Sequence, residues 1–192
     1  MRQIIIATHN QHKIDEIQEM VKGKIDIVSI KSLGLNKDIP ETGDTLKDNA
    51  KQKAEYVYKK FNKDCFADDT GLEVEALDGR PGVYSARYAG ENCSFDDNIN
   101  LLLSEMEGKI NRKACFKTVI CLIEDGKEML FEGKCEGVIT TERYGNKGFG
   151  YDPVFIPKGY GESFAEMSKE DKNKISHRGI ATRKLIEYLL KK

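Results

Sequence analysis

The stretch Cys65-Phe66-Ala67-Asp68-Asp69-Thr70-Gly71 most constrains what this chain can build. An apolar run enters it and two adjacent carboxylates interrupt it. An alternating run, Leu72-Glu73-Val74-Glu75-Ala76-Leu77, follows at once. The pattern predicts one strand ending at the carboxylates and another beginning beyond them, with Gly71 letting the chain turn away. Two negative charges there cost several kcal/mol if buried and unpaired. A divalent cation with an anionic ligand is one compensation. The same residues also admit a plain tight turn, with Asp capping its own backbone and Gly at positive φ. An aspartic-protease site needs two such carboxylates facing each other, and no second Asp-Thr-Gly occurs. A phosphatase of the Asp-x-Asp type needs a residue between its carboxylates, and none is present.

Upstream, residues 3–8 predict a buried strand. The polar turn Thr8-His9-Asn10 and a helix with Ile14, Ile17 and Val21 at helical spacing follow. Strand, polar turn and helix aim backbone N–H groups at an anion. Thr8 and Asn10 are natural caps. Lys13 in the first turn opposes the helix dipole, which suits a phosphate better than it suits stability. The spacing is not that of a glycine-rich phosphate loop. A second strand is predicted over 25–30, then a polar loop over 31–44 containing Glu41. A helix follows to about Phe61, opened by a capping-box-like Thr45-x-x-Asp48. Asn49 and Lys53 share one stripe of that helix. Lys53 reads equally as a solvated lysine among Lys47, Lys51, Lys59 and Lys60.

The rest of the chain predicts an ordered loop over 78–90 and a helix over 95–106. Two long strands, 114–123 and 128–139, are joined by a hairpin turn at Asp125-Gly126. Gly148-Phe149-Gly150-Tyr151 lifts an aromatic ring on backbone that a ligand can approach closely. A nucleobase stacked there gains about 1–3 kcal/mol, although such a ring also serves as a core-facing Phe. Short helical pieces are expected over 163–167 and 168–174, and a last helix opens with Ser176-His177-Arg178-Gly179.

Charge narrows the functional classes. With 31 basic and 32 acidic residues the chain has a net charge of −1, so bulk attraction to nucleic acid or anionic membrane is not expected. Any phosphate must be held locally, by Lys13, Lys53 and Lys172. Glu41 and Asp69 suit magnesium, Phe149 a base, and His177 and Arg178 donate to base oxygens. The five cysteines show no Cys-x-x-Cys pair and read as free thiols of a reducing compartment. The N-terminal apolar run is too short for a signal peptide, and no run reaches the ~20 residues of a membrane span. The expectation is a soluble cytoplasmic protein of one domain.

Six ordered motifs now stand together. They are Thr8-x-Asn10-x-x-Lys13, Glu41-Thr42-Gly43, Ala67-Asp68-Asp69-Thr70-Gly71, residues 81–87 (Pro-Gly-Val-Tyr-Ser-Ala-Arg), Gly148-Phe149-Gly150-Tyr151-Asp152-Pro153 and Ser176-His177-Arg178-Gly179. In this order they resemble the inosine triphosphate pyrophosphatase family, the XTP/dITP diphosphatases, from residue 4 to about 190. The resemblance implies an α/β fold, a long mixed sheet with flanking helices and two lobes around an active-site cleft, in a single domain over 1–192. It implies a homodimer and a Mg2+-dependent reaction that converts ITP, dITP or XTP to monophosphate and pyrophosphate, clearing deaminated purines from the nucleotide pool.

By motif, Asp69 would be the catalytic base and a metal ligand, with Glu41 a further ligand and Asp68 in support. Residues 8–13, Thr8, His9, Asn10 and Lys13 among them, and Lys53 would bind the triphosphate, and Thr70 would touch the substrate. Phe149, Gly150, Tyr151, Asp152, Lys172, His177 and Arg178 would form the nucleoside pocket. His9 replaces a small residue and Thr70 a common serine. Two alternatives carry other chemistry: a Maf-type pyrimidine nucleotide pyrophosphatase, and a nucleotide-binding sensor without turnover.

Overall fold

The computed structural model describes residues 2–191. β1 (Arg2–Ile6) leads into α1 (Gln11–Val21), β2 (Ile25–Ser29), α2 (Leu46–Phe61) and β3 (Cys65–Val74). Then come β4 (Pro81–Gly82), α3 (Phe95–Glu105), β5 (Lys113–Glu124), β6 (Lys127–Ile139), β7 (Phe155–Pro157), α4 (Lys169–Ile175) and α5 (His177–Leu190). The strands form one mixed sheet in the order β2-β1-β3-β5-β6-β7, with β4 paired to β3. β1 runs parallel to β2, with Ile4 opposite Ile27, and parallel to β3, with Ile6 opposite Phe66. β4 is antiparallel to β3 and β7 to β6. The α/β class and mixed sheet match the reading from sequence.

The chain forms two compact units. The first takes the chain up to Asp69, Thr118–Gly133 and everything from Arg178 onward. Its core sets Ile14, Ile17 and Val21 of α1 against Ile4, Ile6 and Phe66 of the strands, with Leu185 and Leu189 of α5. Each such aliphatic side chain contributes about 1.5–3 kcal/mol when fully buried. The second unit takes Thr70–Lys117 and Lys134–His177. Its core gathers Leu72, Ile99, Leu102, Phe116, Phe155 and Phe164.

Local chemistry explains most boundaries. β1 stops at Ile6 because the chain turns toward α1, where the Asn10 side chain accepts the Lys13 N–H at 3.3 Å. Thr45 caps α2 by accepting the Asp48 N–H at 3.1 Å. At the hairpin tip both Asp125 (φ 49°) and Gly126 (φ 73°) are left-handed, as a two-residue type I′ turn requires. All five cysteines are free, and burial pushes the Cys65, Cys121 and Cys135 thiols up to about 12.

Three expectations fail. β3 runs unbroken through Asp68, Asp69 and Gly71, so no turn occurs there. Each carboxylate meets cations on its own side of the strand, so its burial does not end the ladder. Residues 75–77 leave the strand as a short 3₁₀ turn. Residues 163–167 are a turn rather than a helix. Phe164 N–H donates to Phe155 O at 3.1 Å and Ala165 N–H to Asp152 O at 3.3 Å, while the Glu166 and Met167 N–H groups both turn to Ser163 O, so the segment closes a single turn tied to residues 152–155.

Candidate active site

Alternation along β3 sends Asp68 and Asp69 to opposite faces. Asp68 is fully buried and lies 3.0 Å from Lys13 Nζ and 3.4 Å from Arg178 Nε. Arg178 in turn pairs through Nη1 with Glu16 at 2.6 Å. α1 supplies Lys13 and Glu16 one turn apart, and α5 supplies Arg178 from its second residue. Asp69 is 7% exposed. It accepts from Asn49 Nδ2 at 3.2 Å through one oxygen and from Lys53 Nζ at 3.2 Å through the other. Lys53 also donates to Glu41, which lies in the loop before α2. Lys53 is 5% exposed, so its solvated reading is overturned.

This unit thus concentrates Lys13, Lys53 and Arg178 against Asp68, Asp69, Glu41 and Glu16, four carboxylates for three cations. The environments of the two aspartates diverge. Burial alone would raise Asp68, but Lys13, Arg178 and Lys53 outweigh it and hold the carboxyl well below the usual range. Burial raises Asp69, Lys53 and Lys13 offset this only in part, and Glu41 and Asp68 add to the rise. Neighbouring carboxyls driven in opposite directions suit different tasks, one as a permanent anion and one as a base. Burial lowers Lys13. Lys53 is raised, because Asp69 and Glu41 outweigh its burial.

Beside these groups lies a cavity of about 220 Å³ lined by Ala7, Thr8, His9, Asp38, Ile39, Glu41 and Lys53. His9 Nε2 donates to Lys37 O at 3.0 Å and ties the turn after β1 to the 31–44 loop. Glu41 and Asp69 are hard oxygen donors gathered on one ammonium, which fits magnesium, an ion held by one or two carboxylates plus phosphate oxygens and water. Among the described residues no group of three or more His, Cys, Asp or Glu side chains forms a metal cluster.

The second unit holds the other predicted residues. Asp152 Oδ2 accepts the Phe149 N–H at 2.8 Å and pairs with Lys172 Nζ at 2.7 Å. The Lys172 ammonium lies 5.1 Å from the Phe149 ring centroid, a cation–π arrangement. Phe149 also packs against Phe95, with centroids 5.9 Å apart. Gly148 is obligatory here. Its φ is +74°, and a Cβ would fall 2.1 Å from Asp152 Oδ2. His177 is buried with its ring stacked 4.4 Å from that of Phe116. Tyr151 sits in the core and donates its hydroxyl to Ser85 O at 2.9 Å. Gly150 adopts φ +60°, and Thr70 is half-buried on β3.

Four residues of this unit's site, Asn49, Glu16, Asp38 and Ile39, are not among the candidate residues of the sequence motifs. Helical spacing already sets Asn49 on one stripe with Lys53 without giving it a role, and Glu16, three residues after Lys13, carries the same kind of signal. Asp38 and Ile39 carry no local signal within a polar loop.

The model of the Ham1 family matches residues 4–188. A dITP/XTP pyrophosphatase of Porphyromonas gingivalis is 54% identical over 191 residues, covering 99% of this chain and 98% of the relative. One from Thermoanaerobacter sp. (strain X514) is 53% identical over 192 residues, covering 98% and 97%. Among solved structures, a HAM1 protein from Coxiella burnetii has a TM-score of 0.92 at 36% identity and covers 100% of both chains. The Staphylococcus aureus Ham1 protein has a TM-score of 0.89 at 41% identity and covers 98% of both. With near-complete coverage in both sequence and structure, the chain belongs to the Ham1 family.

Proposed function

We propose that this chain hydrolyses deaminated purine nucleoside triphosphates, ITP, dITP and XTP, to monophosphate and pyrophosphate. The observation that carries the reading is the opposite electrostatic setting of Asp68 and Asp69 beside Glu41 and Lys53. The dITP/XTP pyrophosphatase relatives at about half identity support it.

In this reading Thr8, His9, Asn10, Lys13 and Lys53 bind the triphosphate. Asp69 orients a water toward the α-phosphorus and takes its proton. Lys13 and Lys53 offset charge that grows on the departing pyrophosphate, the main need in phosphoryl transfer. Asp68 keeps Lys13 and Arg178 in place and stays ionised throughout. Glu41 and Asp69 would hold Mg2+, which when bound acidifies water and neutralises phosphate charge. Thr70 meets the substrate, and Phe149 to Asp152 with Lys172 receive the nucleoside.

Selectivity rests on hydrogen-bond polarity. Hypoxanthine and xanthine present an acceptor oxygen at position 6, where adenine presents an amine donor. Donors from His177 and Arg178 suit the former and oppose the latter, a mismatch that discriminates strongly when buried. The same reading includes a homodimer, which rests on the family resemblance, and a cytoplasmic location, which rests on the cysteine pattern of the sequence. No helix among the described residues is long and apolar enough to cross a membrane. The test is phosphate release from ITP, XTP, dITP, ATP and GTP with Mg2+ and added inorganic pyrophosphatase. ITP and XTP should be cleaved far faster than ATP or GTP, and equal rates for ATP and ITP would refute the pocket reading.

A further inference from the structure

Residues 41–43 are gripped by α2 in reverse order. Lys53 donates to Glu41. Gln52 Oε1 accepts the Thr42 N–H at 2.9 Å, and its Nε2 donates to Thr42 Oγ1 at 3.0 Å. Asn49 Oδ1 accepts the Gly43 N–H at 2.8 Å. The Asn49 amide then reaches on, and its Nδ2 donates to Asp69 Oδ2 at 3.2 Å. One carboxamide thus joins the loop that carries Glu41 to the strand that carries Asp69.

The chemistry of both neighbours dictates how that amide must face. Gly43 offers an N–H and needs an acceptor, while the Asp69 carboxylate needs a donor. A flipped amide would set donor against donor and oxygen against carboxylate. Asn49 is 1% exposed, so water competes little for either bond. The approach is close enough to require glycine on the loop. A Cβ on Gly43 would fall 2.6 Å from Asp48 Cβ and 3.0 Å from Asn49 Oδ1.

We propose that Asn49 is a positioning residue that sets Glu41 and Asp69 relative to each other and fixes the rotation of the Asp69 carboxylate. This rests on the reading above, in which those two carboxylates share a divalent cation. Two ligands on separate segments must be placed within tenths of an ångström, and outer groups that hold ligands typically matter 10–100-fold in affinity or activity, on the order of magnitude.

The two bonds can be broken separately. Asn49→Ala removes both. It should weaken Mn2+ binding to the nucleotide-free protein, read by calorimetry, by roughly 10–100-fold. It should also lower kcat for ITP while KM changes little. Asn49→Asp keeps an acceptor for Gly43 and turns the donor toward Asp69 into a charge. It should fold and bind Mn2+ at least as well as wild type, yet lose kcat. Gly43→Ala, which leaves Asn49 and Asp69 intact, should weaken Mn2+ binding as Asn49→Ala does. Wild-type kcat in Asn49→Asp, wild-type Mn2+ affinity in Asn49→Ala, or absence of Mn2+ binding in wild type would each overturn the inference. Wild type that binds Mn2+ more tightly than Asn49→Ala but does not cleave ITP would leave the positioning role standing and refute the proposed reaction instead.

Discussion

Asp68→Asn tests whether the buried carboxylate holds this unit together. Asp68 is fully buried, and its carboxylate faces Lys13 at 3.0 Å and Arg178 at 3.4 Å. The amide keeps the shape but leaves two buried cations short of an anion. Breaking a buried pair from one side costs about 3–5 kcal/mol. For a chain of this size each kcal/mol moves the midpoint by about 2–4 °C, so Tm should fall by roughly 6–20 °C. Calorimetry and urea unfolding at neutral pH measure both quantities. The pH dependence adds a sign. Because its folded pKa lies below the unfolded value of 3.8, Asp68 contributes fully above that value and progressively less as pH falls through the folded one. The gap between wild type and Asp68→Asn should therefore hold constant above about pH 5 and narrow as pH falls below about 4 toward the folded value. A variant within about 1 kcal/mol of wild type at neutral pH, or a gap that widens in acid, would refute the reasoning.

Asp69→Asn should behave in the opposite way. Its folded pKa is raised, so the ionised carboxylate destabilises the fold above that value, and the amide should leave Tm unchanged or higher while kcat for ITP falls by about 10²–10⁴-fold. Gly148→Ala drives a methyl into Asp152 at a positive φ. It should raise KM for ITP and lower stability by about 1–3 kcal/mol, measured by steady-state kinetics and urea unfolding. Lys172→Met removes the Asp152 partner and the cation beside Phe149 while keeping most of the volume. It should raise KM for ITP more than it lowers kcat. Chelation of divalent cations with EDTA should abolish pyrophosphate release, and Mg2+ should restore it.

Elements with strong periodicity were legible from sequence: α1 by Ile14, Ile17 and Val21, and the β5–β6 hairpin by alternation and Asp125-Gly126. The candidate carboxylates and lysines were legible as residue types. Their company was not. A local pattern treats charge in an apolar run as a break, yet β3 continues because Lys13, Lys53 and Arg178 arrive from distant parts of the chain. Lys53 resembled its exposed neighbours because helical spacing does not say which stripe meets Glu41 and Asp69. The 163–167 turn was hidden because Phe164 and Ala165 are tied to the carbonyls of Phe155 and Asp152, which no local pattern announces.

The division of labour at Asp68-Asp69 has a practical consequence. The charge on which folding depends and the charge assigned to chemistry lie one peptide bond apart and face opposite ways. A folded chain that has lost turnover is therefore within reach by changing a single atom of Asp69. Immobilised, such a chain would retain nucleotides it can no longer cleave. Eluting them from a cell extract and weighing them by mass spectrometry would reveal the bases it selects without anyone choosing them beforehand.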